Sequence, residues 1–527
     1  MFPKLFGKML ILLVLSMTTL IAAGADASVA DAAENRDMEN IRSLIRQNVD
    51  VNIPQVDGTT AMHWAAYHDD LWTVKLLLRG RANTKAKNRY GVTPLSLALT
   101  NGNVAMVELF LNAGEDPNAT LNGGETALMT AARTGQVGAV RALISRGAEL
   151  ESKVRGQTAL MWAAADGNVE VVQELINAGA DFRAPVASGF TPLLFAVREG
   201  KIDIVKTLLK AGADVNDTIQ RLDADMRRGY GGRVPKMGAS ALLLAVTNGH
   251  FELASYLLEA GANPNADEPG FTPLHMVFRI RKTGGGDNNP PPQGSGNVTS
   301  LEFVKKLVAH GADVNARMTK RGRLGATRLN EIGATPFMLA SQSADLDLMK
   351  TLLELGADPT INNADNSTPL MVAAGLPTRS PGEDAGTEAE VLQALQLLLD
   401  LGADVDSVDN NGETAMHGGA YKNYPKVVAF LAEKGAKMDI WYSKNKNGWT
   451  PLSIARGYRV GNFKPSPATV AELDKLFAAA GRTTPTLEEE GADTYDIHSS
   501  DRDRQPNLLD PGSVKLKPKT PTSTLQP

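Results

Sequence analysis

The chain repeats one pattern of apolar and polar positions along most of its length. A Thr or Ser precedes a short apolar segment, a glycine or polar turn follows, and a second apolar segment ends at another glycine. Neighbouring copies most often begin about 33 residues apart, which is the self-similarity that marks a repeat array. The Thr or Ser of the pattern stands at Thr60, Thr93, Thr126, Thr158, Thr191, Ser240, Thr272, Thr335, Thr368, Thr414 and Thr450.

The copy at residues 124–153 predicts the structure of one unit. Thr126 can accept hydrogen bonds from the unpaired N–H groups of a first helix, and Gly135 can end that helix in a left-handed conformation. Val137 and Leu143 then lie on the apolar stripe of a second helix. Because two such helices cannot bury their apolar faces alone, stacked neighbours must supply the core. We therefore expect an all-α solenoid of helix-turn-helix units.

Three kinds of segment in this pattern resemble the ankyrin repeat family. They are Thr272-Pro273-Leu274-His275, Asn248-Gly249-His250, and Gly-Ala-Asp-Val-Asn at 212–216 and 311–315. The resemblance implies β-turn or hairpin fingers between units, an N-terminal cap repeat at residues 28–52 and an array of about eleven units at residues 53–481. It also implies structural roles for four histidines, most of which would tie adjacent turns together: His63, His250, His275 and His417.

Four insertions interrupt the array. Residues 218–236, with net charge +3, and residues 317–332, with net charge +4, follow second helices and are expected to lengthen fingers. Residues 283–300 and 377–390 split the two helices of one unit, so we expect them at the opposite edge, and their Gly and Pro content predicts mobile loops. Whether the insertions are functional stays open, because the entropy of loop closure grows only slowly with length.

Both ends of the chain differ from the array. Residues 1–27 have basic residues, an apolar run and small residues up to Ala27, which predicts a secretory signal peptide cleaved before Ser28. An uncleaved membrane anchor is the alternative, although the apolar run is short for a span. Cleavage would place the protein in the periplasm or outside the cell. Residues 482–527 are rich in proline and charge, so we expect a disordered tail with a solvated Glu488–Glu490 run.

The amino-acid composition excludes several kinds of functional site. The chain has no cysteine, which excludes disulfides, thiolate nucleophiles and Cys-zinc sites. Its net charge of −5 does not favour a dedicated nucleic-acid binder. The sequence contains neither a phosphate-binding loop, nor a Gly-x-Ser-x-Gly elbow, nor a paired-histidine metal motif. We therefore predict no catalytic residues, no cofactor and no metal, and the sequence leaves the oligomeric state open.

These observations predict a non-enzymatic protein–protein interaction scaffold. The signal peptide, the missing cysteine and the many units together resemble exported bacterial ankyrin repeat proteins. The family resemblance implies that finger tips and the exposed ends of first helices bind partners, and Arg and aromatic residues are the usual interface anchors. The candidate partner-binding residues are Tyr67, His68, Arg89, Tyr90, Arg133, Arg155, Phe190, Arg198, Arg227, Arg228, Tyr230, Arg233, Lys320, Arg321 and Arg323.

The basic insertions imply a protein partner with an acidic surface, bound across the concave face and the basic fingers, because complementary charge speeds encounter and fixes register. Trp64 and Trp162 are expected to be packing residues, since each lies between the His or Met and the Ala of the repeated phrase. Two further interpretations stay open. The protein could be a secreted effector that acts on a host protein, or an accessory subunit of an exported enzyme system.

Overall fold

The computed structural model describes most of the array. The described residues are 28–121, 123–220, 237–282, 292–322, 324, 329–376, 378–382, 384–459, 465–486 and 488–490. Within them the chain forms 25 α-helices and no β-strand, which confirms the all-α fold class. The proposed signal peptide at residues 1–27 and residues 491–527 of the tail lie outside the described part of the chain.

The helices follow one another in pairs. In chain order they are α1 Ser28–Glu34, α2 Met38–Arg46, α3 Ala61–Tyr67, α4 Leu71–Arg79, α5 Pro94–Asn101, α6 Val104–Asn112, α7 Ala127–Thr134, α8 Val137–Ser145, α9 Ala159–Asp166, α10 Val169–Asn177, α11 Pro192–Arg198, α12 Ile202–Lys210, α13 Ala241–Thr247, α14 Phe251–Glu259, α15 Pro273–Arg281, α16 Ser300–Ala309, α17 Pro336–Gln342, α18 Leu346–Glu354, α19 Pro369–Ala374, α20 Glu388–Asp400, α21 Ala415–Lys422, α22 Pro425–Glu433, α23 Met438–Trp441, α24 Pro451–Ala455 and α25 Pro467–Ala479. Apart from α23, which lies in the loop before α24, these described helices form twelve consecutive pairs.

The pairs stack into two layers of a solenoid. The first helix of each pair packs on the first helix of the next, from α1 on α3 to α21 on α24, and second helices such as α8 and α10 form the other layer. Small residues such as Ala131 and Ala132 are fully buried on the first helices, and Val140 and Leu143 are fully buried on a second helix. The core therefore runs between the layers and from unit to unit, as apolar stripes without internal partners require.

Residues close in sequence determine where a first helix begins and ends, as α5, α7 and α11 show. The Thr126 Oγ1 accepts a hydrogen bond from the Met129 N–H at 3.2 Å, which confirms the predicted N-cap. Gly135 ends α7 with φ +76°, a left-handed conformation that glycine adopts without strain. In α5 and α11 the first helical residue is Pro94 or Pro192, whose missing N–H would have no partner at that position.

Short backbone contacts join neighbouring fingers. The N–H of Arg89 donates to the Asp57 carbonyl at 2.7 Å, and the N–H of Lys446 donates to the Asn411 carbonyl at 2.8 Å. At the base of the 218–236 insertion, Ile219 donates to the Ala239 carbonyl at 3.0 Å. The described fingers are therefore turns joined by single backbone hydrogen bonds, and some of them are closed at the base by an isolated β-bridge, such as that between Thr218 and Ser240.

Buried His63 and His275 tie neighbouring units together, as the family resemblance implied. The Nε2–H of His63 donates to the Val92 carbonyl at 3.0 Å, and that of His275 donates to the Ala334 carbonyl at 3.2 Å. His417 differs: its Nδ1 accepts from the N–H of Thr414 in its own unit at 3.1 Å, but its buried Nε2 has no hydrogen-bond partner among the described residues, so the tie expected of His417 is not made. Burial lowers the pKa of His275 and of His417 to about 4, so both rings are neutral at physiological pH.

The described part of the 283–300 insertion lies against the turns between first and second helices. Ser295 donates its N–H to the Nδ1 of His250 at 3.0 Å, and Asn297 donates its N–H to Glu252 at 2.7 Å. The same His250 donates its Nε2–H to the Arg198 carbonyl at 3.0 Å. Residues 292–299 are thus held in place on this edge, in contrast to the mobile loop expected from composition.

The 377–390 insertion is also fixed, and it connects non-adjacent parts of the array. Lys282 Nζ lies 2.8 Å from Glu390 Oε1 across a whole intervening unit. From the following unit, Lys422 donates to the Ala385 carbonyl at 2.9 Å and Tyr424 donates to the Gly386 carbonyl at 2.8 Å. The described residues of this loop therefore form a strap across neighbouring units.

The 317–332 insertion differs from the simple basic finger that its charge predicted. Leu324 is 3% exposed and Leu329 is 6% exposed, so both side chains are buried. The Leu324 N–H donates to Glu331 Oε1 at 2.6 Å, and its carbonyl accepts from the Arg279 guanidinium at 2.9 Å. The insertion contributes an apolar packing element in addition to its basic side chains.

The beginning of the tail also departs from expectation. Residues 482–486 and 488–490 are described, and Glu490 is only 4% exposed. The expectation of a fully solvated Glu488–Glu490 run is therefore wrong for Glu490, although Glu488 and Glu489 are exposed. Composition misled here because the side chains that bind Glu490 lie far earlier in the sequence.

Candidate functional site

The first helices of the leading units present a row of partly exposed Arg and aromatic side chains. Arg133 is exposed on α7, whereas Tyr67 on α3, Trp162 on α9 and Arg198 on α11 are half-buried. We refer to these four residues as the recognition stripe. Each is near the end or middle of a first helix, so the regular stacking of units places them on one face.

Arg133 and Trp162 form the centre of the stripe. The Arg133 Cζ lies 5.9 Å from the Trp162 ring centroid, and its Nη2 lies 3.4 Å from Glu125 Oε1. The Trp162 Nε1–H donates to Gln157 Oε1 at 3.0 Å. These contacts orient the guanidinium and the indole before any partner arrives. Trp162 was expected to be a packing residue, and its partial exposure next to Arg133 was visible only in the structure.

Arg198 ends the stripe against two phenylalanines. Its Cζ lies 5.5 Å from the Phe190 ring centroid and 5.1 Å from that of Phe195, and its Nε lies 2.8 Å from Glu199 Oε1. Phe190 itself is only 6% exposed. The prediction that Phe190 is an exposed anchor is therefore wrong, because the ring turns inward from its finger and packs under Arg198 at the edge of the core.

Tyr67 and His68 lie at the junction with the cap. The His68 Nε2–H donates to the Glu34 carbonyl at 2.9 Å, and Arg36 donates to its Nδ1 at 3.1 Å. The Tyr67 ring packs edge-on against Trp64, with centroids 5.7 Å apart. Trp64 is 6% exposed, as expected for a packing residue. His68 thus has a structural role in docking the cap, while Tyr67 keeps part of its surface in solvent.

Two fingers carry exposed candidate residues. Tyr90 is 46% exposed, and the Arg89 Cζ lies 5.5 Å from the Tyr90 ring centroid. Arg155 is exposed at the tip of its finger with φ +51°. An exposed Tyr with an Arg beside it has the composition of an interface anchor.

The basic candidates of the two finger insertions are only partly described. Lys320 Nζ donates to the Glu268 carbonyl at 2.8 Å, which ties it to the preceding finger. Arg321 is exposed. The remaining candidates lie outside the described residues, and they are Arg227, Arg228, Tyr230, Arg233 and Arg323.

The first helices near the C-terminus differ from those of the recognition stripe. Every residue of α19 and α21 is buried. Even the cation Lys422 is only 4% exposed, and burial lowers its pKa to about 8. Arg459 is 2% exposed, and its guanidinium donates to the Tyr421 carbonyl. Accessible side chains on this face are therefore concentrated between α3 and α11.

The described residues offer little for small-molecule or metal chemistry. Among them, no three His, Asp or Glu side chains converge as metal ligands would. A cavity between α5 and α7, lined by residues such as Leu99 and Thr130, holds about 10 Å³, which is room for about one water. None of the described helices is both long and apolar enough to cross a bilayer.

Comparison with known proteins shows where this array belongs. The family model "Ankyrin repeats (3 copies)" matches residues 29–121, 81–154, 101–185, 151–219 and 386–462, and the model "Ankyrin repeat" matches 237–268 and 332–364. Together these matches cover more than half of the chain. The solved ankyrin repeat domain of human ASB11 is 21% identical and covers 51% of this chain and 100% of its own, with a TM-score of 0.39.

Among curated relatives, ankyrin repeat protein L86 of Acanthamoeba polyphaga mimivirus is 28% identical over 132 residues, which are 24% of this chain and 23% of that protein. Protein lin-12 of Caenorhabditis elegans is 32% identical over 139 residues, 26% of this chain and 8% of the relative. Neurogenic locus notch homolog protein 1 of Danio rerio is 29% identical over 206 residues, which cover 35% of this chain and 8% of that protein. Each alignment spans less than a quarter of the relative. With the family models, the repeated caps and the stacked helix pairs in agreement, the chain belongs to the ankyrin repeat family.

Proposed function

We propose that the protein is a non-enzymatic scaffold that binds a protein partner across the recognition stripe and the neighbouring fingers. Ankyrin repeats are an interaction fold, which supports a protein partner in general. The observation that carries the choice of surface is the Arg133–Trp162 stack, at 5.9 Å, on first helices whose counterparts α19 and α21 are wholly buried.

The central side chains of the recognition stripe are preorganised for binding. Arg and Trp are enriched among residues that dominate interface energies, and a side chain already held by its neighbours loses less entropy on binding. The contacts of Trp162 with Gln157 and of Arg133 with Glu125 supply that restraint. The positive charge of both finger insertions favours a partner with an acidic surface.

A binding experiment tests the stripe directly. Crosslinking in the native host followed by mass spectrometry identifies the partner, and its Kd is then measured with purified proteins. Trp162→Ala and Arg133→Ala should each weaken binding more than about tenfold, as expected for anchor residues. Arg141→Ala is the matched control, because Arg141 is an exposed arginine on second helix α8, paired with Glu174 at 2.9 Å. Equal Kd values for all three variants would rule out this surface.

The basic insertions are expected to act on association rate. Replacing Arg227, Arg228, Arg321 and Arg323 by Ser removes four positive charges, so the association rate constant should fall at low salt and converge with that of the unchanged protein at high salt. The measurement is stopped-flow or surface-plasmon kinetics over a salt series. A salt dependence identical to that of the unchanged protein would contradict an acidic partner surface.

We further propose that the protein is exported. Residues 1–27 have the layout of a signal peptide, and cleavage after Ala27 would leave α1 complete, with Val29 and Ala30 buried against the next unit. Fractionation with N-terminal sequencing should find a mature chain beginning near Ser28 in the periplasm or medium. Recovery inside a host cell would favour the effector interpretation, and a full-length chain in the cytoplasm would refute export.

A further inference from the structure

The last unit holds a carboxylate supplied by the chain's own tail. Oε1 of Glu490 accepts hydrogen bonds from the Tyr442 hydroxyl at 3.1 Å and from the Thr450 hydroxyl. Oε2 of Glu490 lies 3.2 Å from Nη1 of Arg456, and the Glu490 side chain is 2% exposed. The carboxylate is therefore buried, hydrogen-bonded on both oxygens and paired with a cation, as a recognised ligand would be.

The three donors are presented by the first helix and finger of one unit. Tyr442 follows α23 in the finger, Thr450 is the N-cap of α24 and Arg456 ends that helix. Burial, and then the adjacent Glu490 charge, raise the pKa of Tyr442 above its ordinary value, so its hydroxyl stays protonated and donates. In the leading units the recognition stripe lies on first helices, whereas here the finger and the two ends of the first helix hold the Glu490 carboxylate.

Thr486 and Glu489 form a hydrogen-bonded turn directly before Glu490. The Thr486 N–H donates to Glu489 Oε2 at 2.7 Å, and the Glu489 N–H donates back to Thr486 Oγ1 at 3.3 Å. This reciprocal pair is a capping box, which holds a short peptide in one conformation. Glu488 and Glu489 face solvent, whereas Glu490 points into the array. The described side-chain contacts of Glu490 are polar, and a glutamate of another acidic peptide offers the same carboxylate to the same donors.

We propose that Tyr442, Thr450 and Arg456 form a glutamate-binding site for acidic peptides, and that Glu490 of the chain's own tail occupies it as an intramolecular competitor. The site recognises a Thr-x-x-Glu-Glu turn whose last glutamate enters the pocket. Attachment to the array gives the tail an effective concentration of the order of millimolar, so a partner peptide must outcompete it or release it. The Tyr442–Thr450–Arg456 site is separate from the recognition stripe, so it can bind a peptide whether or not the stripe binds a partner.

A labelled peptide spanning residues 484–494 tests the site by fluorescence anisotropy against full-length chains. The Glu490→Ala chain, whose pocket is vacated, should bind this peptide at least about tenfold more tightly than the unchanged chain. The Glu488→Gln chain is the matched control and should behave like the unchanged chain, since Glu488 is exposed. A peptide that carries Glu490→Gln should lose most of its affinity while keeping its other acidic residues.

Two further measurements separate recognition from folding. The Glu490→Ala, Arg456→Met double variant should lose peptide binding, while its far-UV circular dichroism stays that of the unchanged chain. If Glu490→Ala lowers the melting temperature, the Glu490→Gln chain keeps the hydroxyl contacts and should still show the gain in peptide affinity. Equal peptide affinity of the unchanged and Glu490→Ala chains would overturn the proposal. So would equal affinity of the Glu and Gln peptides.

Discussion

The guanidinium of Arg281 holds both carboxylate oxygens of Asp345, one unit away. Its Nε lies 2.6 Å from Oδ2 and its Nη2 lies 3.0 Å from Oδ1, and the Asp345 side chain is 2% exposed. Asp345 also caps α18 by accepting the Leu348 N–H at 3.2 Å, and Arg281 donates to Ser300 at the start of α16 at 2.7 Å. One ion pair thus joins three helices across the 283–300 insertion.

Removing the arginine of this pair should destabilise the array strongly. In Arg281→Met the buried Asp345 carboxylate loses its cation, and breaking a buried pair in this way typically costs about 3–5 kcal/mol. Urea unfolding monitored by circular dichroism measures the loss of unfolding free energy. Arg281→Met with Asp345→Asn should recover part of the loss, because the asparagine keeps the cap without a charge.

The exposed pair between Arg141 and Glu174 is the control for this prediction. Its arginine side chain is 64% exposed, and surface pairs contribute about 0–1 kcal/mol. Arg141→Met should therefore change the unfolding free energy by less than about 1 kcal/mol. Similar losses of unfolding free energy for Arg141→Met and Arg281→Met would show that burial does not increase the contribution of the Arg281–Asp345 pair to stability.

Much of the fold could be predicted because its signals are local. Thr126 and Gly135 mark the start and end of α7 within a few residues, and a Thr or Ser marks the start of the first helix in the other copies as well. The side-chain positions of the candidate site were harder to predict from the sequence. Phe190 faces inward because its ring packs against Arg198 and Phe195. The spacing of apolar residues in the sequence does not predict the direction of a side chain in a finger. Glu490 was misjudged because its partner Arg456 lies 34 residues earlier in the sequence.

A buried carboxylate makes stability depend on pH near neutrality. Burial raises the pKa of Glu413 to about 7, while Tyr421 and Asn445 each donate to its Oε1 at 2.8 Å. Between about pH 4.5 and pH 7 the folded chain keeps a proton that the unfolded chain has released, so stability falls as pH rises through this window. The difference corresponds to about 3 kcal/mol at most.

Glu413→Gln should remove this dependence. The glutamine amide oxygen can still accept from Tyr421 and Asn445, so the variant should match the unchanged protein near pH 5 and exceed its stability by about 1–3 kcal/mol at pH 7.5. Urea midpoints at the two pH values measure this. Glu433→Gln, at an exposed position on α22, is the control. An unchanged pH slope in Glu413→Gln would show that the Glu413 carboxyl stays ionised in the folded protein.

His275 should make the stability of the protein depend on pH in the direction opposite to Glu413. Burial lowers its pKa to about 4, so below about pH 6.5 the unfolded chain binds a proton that the folded ring does not. Stability is therefore lost as pH falls from about 6.5 to about 4. In His275→Gln the amide can keep the capping contact with Thr272 but loses the bond to the Ala334 carbonyl.

We expect His275→Gln to lower the unfolding free energy by about 1–3 kcal/mol at pH 7 and to flatten the loss between pH 6.5 and pH 4. Chemical denaturation over a pH series gives both quantities. His310→Gln is the control, because His310 is exposed at the end of α16 and should change neither quantity appreciably. An acid slope as steep in His275→Gln as in the unchanged protein would exclude His275 as its source.

Glu115 departs from the residue that its own repeats place at the same backbone position. Its N–H donates to the Phe110 carbonyl at 3.1 Å, the bond that closes the second helix of its unit. Alanines make the corresponding bond in other units, and they are Ala82, Ala148, Ala180, Ala213, Ala262, Ala312, Ala357, Ala403 and Ala436. Glu115 is 5% exposed, its Oε2 has no hydrogen-bond partner among the described residues, and burial raises its pKa.

Glu115→Ala should therefore stabilise the protein. A buried polar group without a partner costs about 1–3 kcal/mol, and alanine removes that group while keeping the backbone bond. The loss of the acceptor for Thr84 offsets part of the gain, so we expect an increase of about 1 kcal/mol in the unfolding free energy at pH 7. Glu149→Ala, one position after Ala148 and exposed, should be close to neutral. A lower urea midpoint for Glu115→Ala would mean that Glu115 makes a favourable contact at this turn, which its buried and unpaired Oε2 argues against.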